Sequence, residues 1–259
     1  MMRIAALQMQ SAPGDVDTNL ARIEQAAQEA GQGGADLLVT PELCVTGYGA
    51  GDIIKSLAEP ATGSQVKRLQ KISTESGVAI IAGFAERDGA HVFNSAAFVN
   101  GDGEPAIYRK SHLYGPYERS LFKPGNPDNC IVELGRLKLG LLICYDVEFP
   151  ENVRRLALAG ADAVLVPTAL PRGPSGTFIT DHMIQVRAFE NQIFVAYVNH
   201  FGNDGRFTFA GRSRIAAPDG SLLAEGPEDA ESMMFADIDP GAFSASMADN
   251  TYLEDLGSA

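Results

Sequence analysis

The sequence predicts an α/β protein in which two sheets pack face to face between layers of helix. Short runs rich in Val, Ile and Leu alternate with amphipathic stretches, the pattern of strands buried on at least one face and covered by helices. The string GADLLVTPEL at 34–43 returns as GADAVLVPTAL at 160–170, with the same glycine, Ala-Asp pair, apolar run and proline close to the strand end. The elements around the two strings follow in the same order, as two halves of one ancestry would. No Pro/Ser-rich or charged linker divides those halves near residue 130, so one duplicated domain over 1–259 is expected, with a C-terminal tail from about 240.

Residues 3–9 (RIAALQM) read as the first strand, and Asp15 or Asp17 can cap a helix whose Leu20, Ile23, Ala27 and Ala30 share a face. Gly31 to Gly34 end that helix, and 35–40 (ADLLVT) form a strand that stops at Pro41-Glu42. A second helix carrying Val66, Leu69 and Ile72 leads into VAIIAGFAE at 78–86. FNSAAFVN and EPAIYRK then pair around Gly101-Asp102-Gly103, a strong turn signal. In the second half a hairpin around Gly135-Arg136 is followed by the buried strand KLGLLICYD. Pro150 suits the first turn of a helix with Val153 and Leu156 inward, closed by Gly160. After the strand at 160–170, a helix from about Thr180 to Asn191 precedes IFVAYVNH. GRSRIAAPDGSLLAE at 211–225 then echoes the first hairpin and aligns Asp219-Gly220 with Asp102-Gly103.

Composition excludes more than it proposes. The chain has 259 residues, enough to bury a large core without a disulfide or metal staple. With 33 acidic against 20 basic side chains the net charge is −13, which argues against nucleic acid as a partner. Three cysteines without C-x-x-C spacing are no disulfide framework, and the expected setting is a reducing cytoplasm. No run approaches the roughly 18 apolar residues of a membrane span. His91, His112, His182 and His200 show no zinc spacing, no G-x-S-x-G elbow or phosphate-binding glycine loop is present, and neither metal nor cofactor is expected.

Ligands in α/β proteins gather at the carboxyl ends of strands, and three strand ends here carry reactive side chains. Cys144 closes LGLLI, where a buried strand emerges; a nucleophilic role there requires a base or a positive charge nearby, and without them it is a packing residue. Cys44 and Cys130 read as packing residues. Glu42 follows ADLLVTP, and a carboxylate desolvated at a strand mouth acquires a raised pKa suited to general base work near neutrality. Lys110 ends AIYRK beside Arg109, and alternation along the strand turns one of the two inward.

Taken together, PELCVTGY at 41–48, YRKSHLYGPYERSLFKPG at 108–125 and GLLICYDVEFPENVRRLALAGADAVLVPTAL at 140–170 resemble the nitrilase, or carbon–nitrogen hydrolase, superfamily from residue 3 to about 240. The resemblance implies a four-layer αββα sandwich and a Glu-Lys-Cys triad, with Glu42, Lys110 and Cys144 at the matching positions. It further implies that the Tyr145 backbone N–H helps Lys110 hold an oxyanion, and that Glu118, in the loop after the lysine, orients Lys110 or the substrate. Tyr48, Tyr114, Thr168 and Ala169 match pocket positions.

Departures narrow the substrate. Cys144-Tyr145-Asp146 is similar to amidase-type branches rather than to the Cys-Trp-Glu of true nitrilases. Glu148 stands where omega-amidase-like members carry arginine. Only Arg172 follows the PTAL strand, where carbamoyl amino acid hydrolases clamp a carboxylate with arginines. The expected substrate is a small carboxamide, with a carbamoyl amino acid or a nitrile as the alternative. A catalytically silent scaffold is disfavoured, because a scaffold has no need of Glu42, Lys110 and Cys144 together. The tail NTYLEDLGSA keeps Tyr252, Leu253 and Asp255 of a segment that packs across subunits in relatives but lacks its arginines, and a homodimer or higher homo-oligomer is expected.

Overall fold

The computed structural model describes residues 1–257, so the last two residues of the expected tail lie outside the described residues. Along the first strands the side chains alternate cleanly between two environments. Ile4 and Ala6 of β1 (Met2–Gln8), Leu37 and Val39 of β2 (Leu37–Val39), and Ala79 and Ile81 of β3 (Ala79–Asp88) share a core with the second sheet. Their neighbours Ala5, Leu7, Leu38, Ile80 and Ala82 face the opposite way, onto Leu20, Ile23 and Ala27 of α1 (Val16–Gln32) and Val66, Leu69 and Ile72 of α3 (Ser64–Ser76), with the short α2 (Ile53–Leu57) between these helices in sequence. Period-two alternation with both faces apolar is what a sheet sandwiched between two layers demands, and each Val, Leu or Ile among these side chains contributes about 1.5–3 kcal/mol when fully buried.

β4 (His91–Val99) and β5 (Ala106–Arg109) extend the first sheet antiparallel and β12 (Ser232–Ile238) borders β1, giving the order β12-β1-β2-β3-β4-β5. The second sheet is built from β6 (Ile131–Leu134), β7 (Leu137–Leu141), β8 (Ala163–Thr168), β9 (Phe194–Asn199), β10 (Arg214–Ala216) and β11 (Leu222–Glu225), in the order β6-β7-β8-β9-β10-β11. Its outer layer is α5 (Pro150–Leu158) and α7 (Ile184–Asn191), which bury Val153, Leu156, Ile184 and Ala188. Each sheet has three parallel central strands flanked by antiparallel ones. The two halves match down to single bonds. Asp36 accepts from Arg3 N and Asp162 from Lys138 N, each at 2.8 Å, so the repeated Ala-Asp pair ties each parallel strand to the start of its neighbour.

Several elements differ from the sequence reading. Asp15 rather than Asp17 caps α1, accepting from Thr18 N at 3.0 Å. The helix expected from Thr180 begins at Pro174, as α6 (Pro174–Phe178), and passes through a π turn at Ile179–Met183 into α7. Glu118 lies on a short helix, α4 (Gly115–Leu121), and is fully buried instead of sitting in a loop. The strand expected to carry Cys144 stops at Leu141, and Cys144 opens a 3-10 turn over Cys144–Glu148. β12 (Ser232–Ile238) had no counterpart in the sequence reading; it pairs antiparallel with β1 and closes the first sheet. The tail folds as α8 (Ser244–Asp249) and α9 (Tyr252–Gly257), and Tyr252 packs edge-on to Phe189 of α7. Among the described residues no helix is long and apolar enough to cross a membrane.

Candidate active site

Two loops bring the reactive groups together, one from each sheet. The loop after β2 carries Glu42 across the face of β3 at Gly83, where a Cβ would come within 2.3 Å of Leu43 N and 2.7 Å of Pro41 O. Only glycine admits so close a backbone approach. Glu42 N donates to Thr168 O at 3.3 Å, which links this loop to the matching strand end of the second sheet. The other loop follows β7 and presents Cys144. Leu43 and Cys144 both have positive φ, 49° and 45°, a conformation that disfavours side chains and recurs at functional sites because the surrounding structure has to hold it.

Lys110 leaves the end of β5 and points inward, while Arg109 beside it points outward to Glu86 and Asp88. Its Nζ donates to Glu42 Oε1 at 2.6 Å and to Glu118 Oε1 at 2.7 Å, and all three side chains are fully buried. An ammonium has three protons, so two hold carboxylates and one is left. Glu118 is fixed in turn by Tyr48 OH at 2.8 Å and Tyr114 N at 2.8 Å. Asn94 Nδ2 donates to Glu42 Oε1 at 2.6 Å, while Glu42 Oε2 is buried with no hydrogen-bond partner among the described residues.

The electrostatics follow from this packing. Burial raises the Glu42 pKa to about 7; Lys110 pulls it down and Glu118 pushes it up. Burial pulls the Lys110 ammonium down, but Glu118 and Glu42 more than offset that and hold it well above the ordinary lysine range. Burial and the Glu42 charge push the Cys144 thiol well above its ordinary value against the opposing pull of Lys110. These shifts favour the thiol form of Cys144, while Glu42 keeps one carboxylate oxygen without a hydrogen-bond partner among the described residues.

The site opens into a cavity of about 380 Å³ lined by Cys144, Tyr145, Glu118, Glu148 and the segment 169–176. Residues 3–245 match the family profile of carbon-nitrogen hydrolases. The chain belongs to the carbon-nitrogen hydrolase family. It is 44% identical to a protein of Pseudomonas protegens described as a hydrolase in the pqqF 5′ region, over 98% of this chain and 88% of that protein. It is 36% identical to an (R)-stereoselective amidase of a Pseudomonas species, over 98% and 91% of the two chains. Among solved structures, a point mutant of the amidase from Nesterenkonia sp. AN1 superposes with a TM-score of 0.88 at 35% identity, over 98% of this chain and 96% of that one. Its active-site cysteine carries the product of Michael addition of acrylamide.

Within this carbon–nitrogen hydrolase the expected pocket residues separate. Tyr48, Tyr114, Ala169 and Arg172 line the cavity. Thr168 does not: it lies behind the wall, its hydroxyl donating to Val166 O at 2.9 Å and its carbonyl accepting from Glu42 N. Arg172 turns its guanidinium to the rim, where it pairs with Asp229 and with Glu228 at 3.6 Å. Tyr145 N–H is at the start of the 3-10 turn, where first-turn amides have no partner within the turn. The sequence reading missed Asn94 and His200, whose Nε2 lies 2.7 Å from Glu42 O. Both are polar residues inside apolar strings, FNSAAFVN and IFVAYVNH, and that contrast is the one local signal they leave. Asp146 is buried and accepts from Tyr108 OH, Ser111 Oγ and His112 N at 2.8–2.9 Å, which pins the Cys144–Glu148 turn to the loop after Lys110. Among the described residues no group of three or more His, Cys, Asp or Glu is arranged to hold a metal ion.

Proposed function

We propose that this hydrolase is a cysteine-dependent amidase that converts a small carboxamide to a carboxylic acid and ammonia through a thioester on Cys144. The observation that carries the reading is a fully buried ammonium held between two carboxylates, one of which, Glu118, lines the same cavity as Cys144. Glu42 Oε2 takes the thiol proton as sulfur attacks the amide carbonyl. The remaining proton of Lys110 and the Tyr145 N–H receive the oxyanion. Collapse breaks the C–N bond, and Glu42 returns the proton to the leaving nitrogen, so ammonia departs. Water, deprotonated by Glu42, then cleaves the thioester, and the proton goes back to Cys144. Glu118 touches no reacting atom in this cycle; it positions Lys110.

An acyl group without a carboxylate is favoured over a carbamoyl amino acid because the one arginine at the cavity is engaged by Glu228 and Asp229. Glu42 has to be ionised to act, so kcat/KM is expected to rise with pH through a midpoint near 7 and then level. A rate profile on butanamide that stays flat from about pH 5 to 9 would contradict this. The same ionisation weighs on the fold: with its folded pKa raised from 4.5 to about 7, Glu42 favours the folded state below 4.5, and that contribution is lost as pH rises through 7.

The chain is further proposed to act as a single-domain homodimer in a reducing cytoplasm, where its three free cysteines stay thiols. The exposed Leu158, Phe178 and Val186 on the helices of the second sheet support a partner surface there. Sedimentation at the mass of one chain, 27.5 kDa, would exclude the dimer.

A further inference from the structure

One carboxylate on the cavity wall has no part in the cycle above. Glu148 lies four residues after Cys144, at the end of the same 3-10 turn, and lines the cavity with Cys144, Tyr145 and Ala169. Its main chain is fixed from behind by Arg187 of α7, whose Nη2 donates to Glu148 O at 2.7 Å and whose Nε donates to Val147 O at 2.8 Å. The guanidinium is completed by Glu190 at 3.0 Å, so Arg187 holds the turn without pairing with the Glu148 side chain. That side chain is half-buried and forms no hydrogen bond or ion pair among the described residues. Burial raises its pKa to about 6 against the weaker pull of Lys110 and Arg187, neither of which touches it, so it is charged at neutral pH.

The other charges around the cavity are all engaged. Glu118 spends Oε1 on Lys110 and Tyr48 and Oε2 on the Tyr114 amide. Lys110 is shared between Glu42 and Glu118, and Arg172 is drawn to the rim by Asp229 and Glu228. A substrate therefore meets one carboxylate that no donor touches and no cation free of a carboxylate contact. A partly desolvated carboxylate without a donor is unfavourable until something supplies one.

We propose that Glu148 is a specificity-determining residue that receives an ammonium, or another N–H donor, on the acyl part of the substrate. The preferred substrates are then carboxamides of amino acids or aminoalkyl acids, and half-amides of dicarboxylic acids are turned away. This rests on the amidase reading, and the test separates the two. Ammonia release would be measured for aminoamides of two to four carbons, for their methyl-terminated isosteres such as butanamide, and for succinamate. The best aminoamide is expected to exceed its isostere in kcat/KM by about 30-fold, the size of a hydrogen bond to a charged group. Succinamate should fall below butanamide. Glu148→Gln should cut the aminoamide-to-isostere ratio at least about ten-fold, and Glu148→Arg should bring succinamate above the aminoamide. Calorimetric binding of the same compounds to the Cys144→Ala protein, with Glu148 intact, should show the aminoamide binding more tightly. Equal binding of aminoamide and isostere, or a ratio that survives Glu148→Gln, would overturn the role of Glu148. Failure of every amide to release ammonia would instead remove the amidase reading and leave the calorimetry to decide on Glu148.

Discussion

Lys110→Met is expected to lower amide hydrolysis about 10³-fold through loss of an oxyanion donor, and also to weaken the fold itself. The wild-type ammonium is fully buried and touches Glu42 at 2.6 Å and Glu118 at 2.7 Å. Removing it leaves two fully buried carboxylates without the cation between them. Breaking a buried pair by deleting one partner costs about 3–5 kcal/mol, because the remaining charge has no compensation. For a domain of this size that corresponds to a fall in Tm on the order of 10 °C. The triple variant Lys110→Met, Glu42→Gln, Glu118→Gln removes every charge of the cluster and should regain most of the lost stability with none of the activity. A Tm for Lys110→Met equal to the wild type, measured by calorimetry at pH 7.5, would mean that the cluster is not coupled as its geometry indicates.

Cys144→Ala should lower ammonia release by at least about 10⁴-fold, the scale on which removal of a covalent nucleophile acts. Its effect on stability should be small, since the substitution removes one sulfur and leaves the backbone, already at φ 45°, as it was. Intact-mass spectrometry supplies the complementary result. Wild-type protein mixed with a good amide and quenched with acid should gain the mass of the acyl group on Cys144, and the alanine variant should gain nothing. Ammonia release at the wild-type rate from Cys144→Ala would dispose of the thioester route. Cys44 serves as an internal control: it is buried against Thr40 and Gly83, burial pushes its thiol up to about 11, and it should acquire no acyl group.

The candidate site was legible where chemistry and local pattern coincide. Glu42, Lys110 and Cys144 each stand where an apolar run ends, and hydrophobic periodicity marks such positions without any knowledge of the fold. Glu118 was reached only through the resemblance, because a glutamate among HLYGPYERSLF shows no sign locally that it is buried. Asn94 escaped because its role comes from register. β4 pairs with β5 so that Lys110 N donates to Asn94 O at 2.8 Å, and the Asn94 side chain then meets Glu42 from another strand. Thr168 was misplaced for a related reason. A match in sequence position fixes the strand end but not which side of the wall the side chain takes.

The sequence by itself determined the α/β class, the two-fold repetition and the reactive residue types, since these rest on periodicity and on strings such as GADLLVTPEL and GADAVLVPTAL. Tertiary structure decided how the two copies are used. Pro41-Glu42 and Pro167-Thr168 occupy matching strand ends and meet through the bond from Glu42 N to Thr168 O, yet only the first copy carries a carboxylate. Cys144 comes from the other sheet, so neither half holds the site alone. The edge of the first sheet likewise waits for β12, more than two hundred residues from the β1 it pairs with. Helix and strand periodicity are local properties of the chain, whereas the meeting of two sheets, the desolvation that raises Glu42 to about 7 and the unpaired state of Glu148 exist only once distant segments exclude water together.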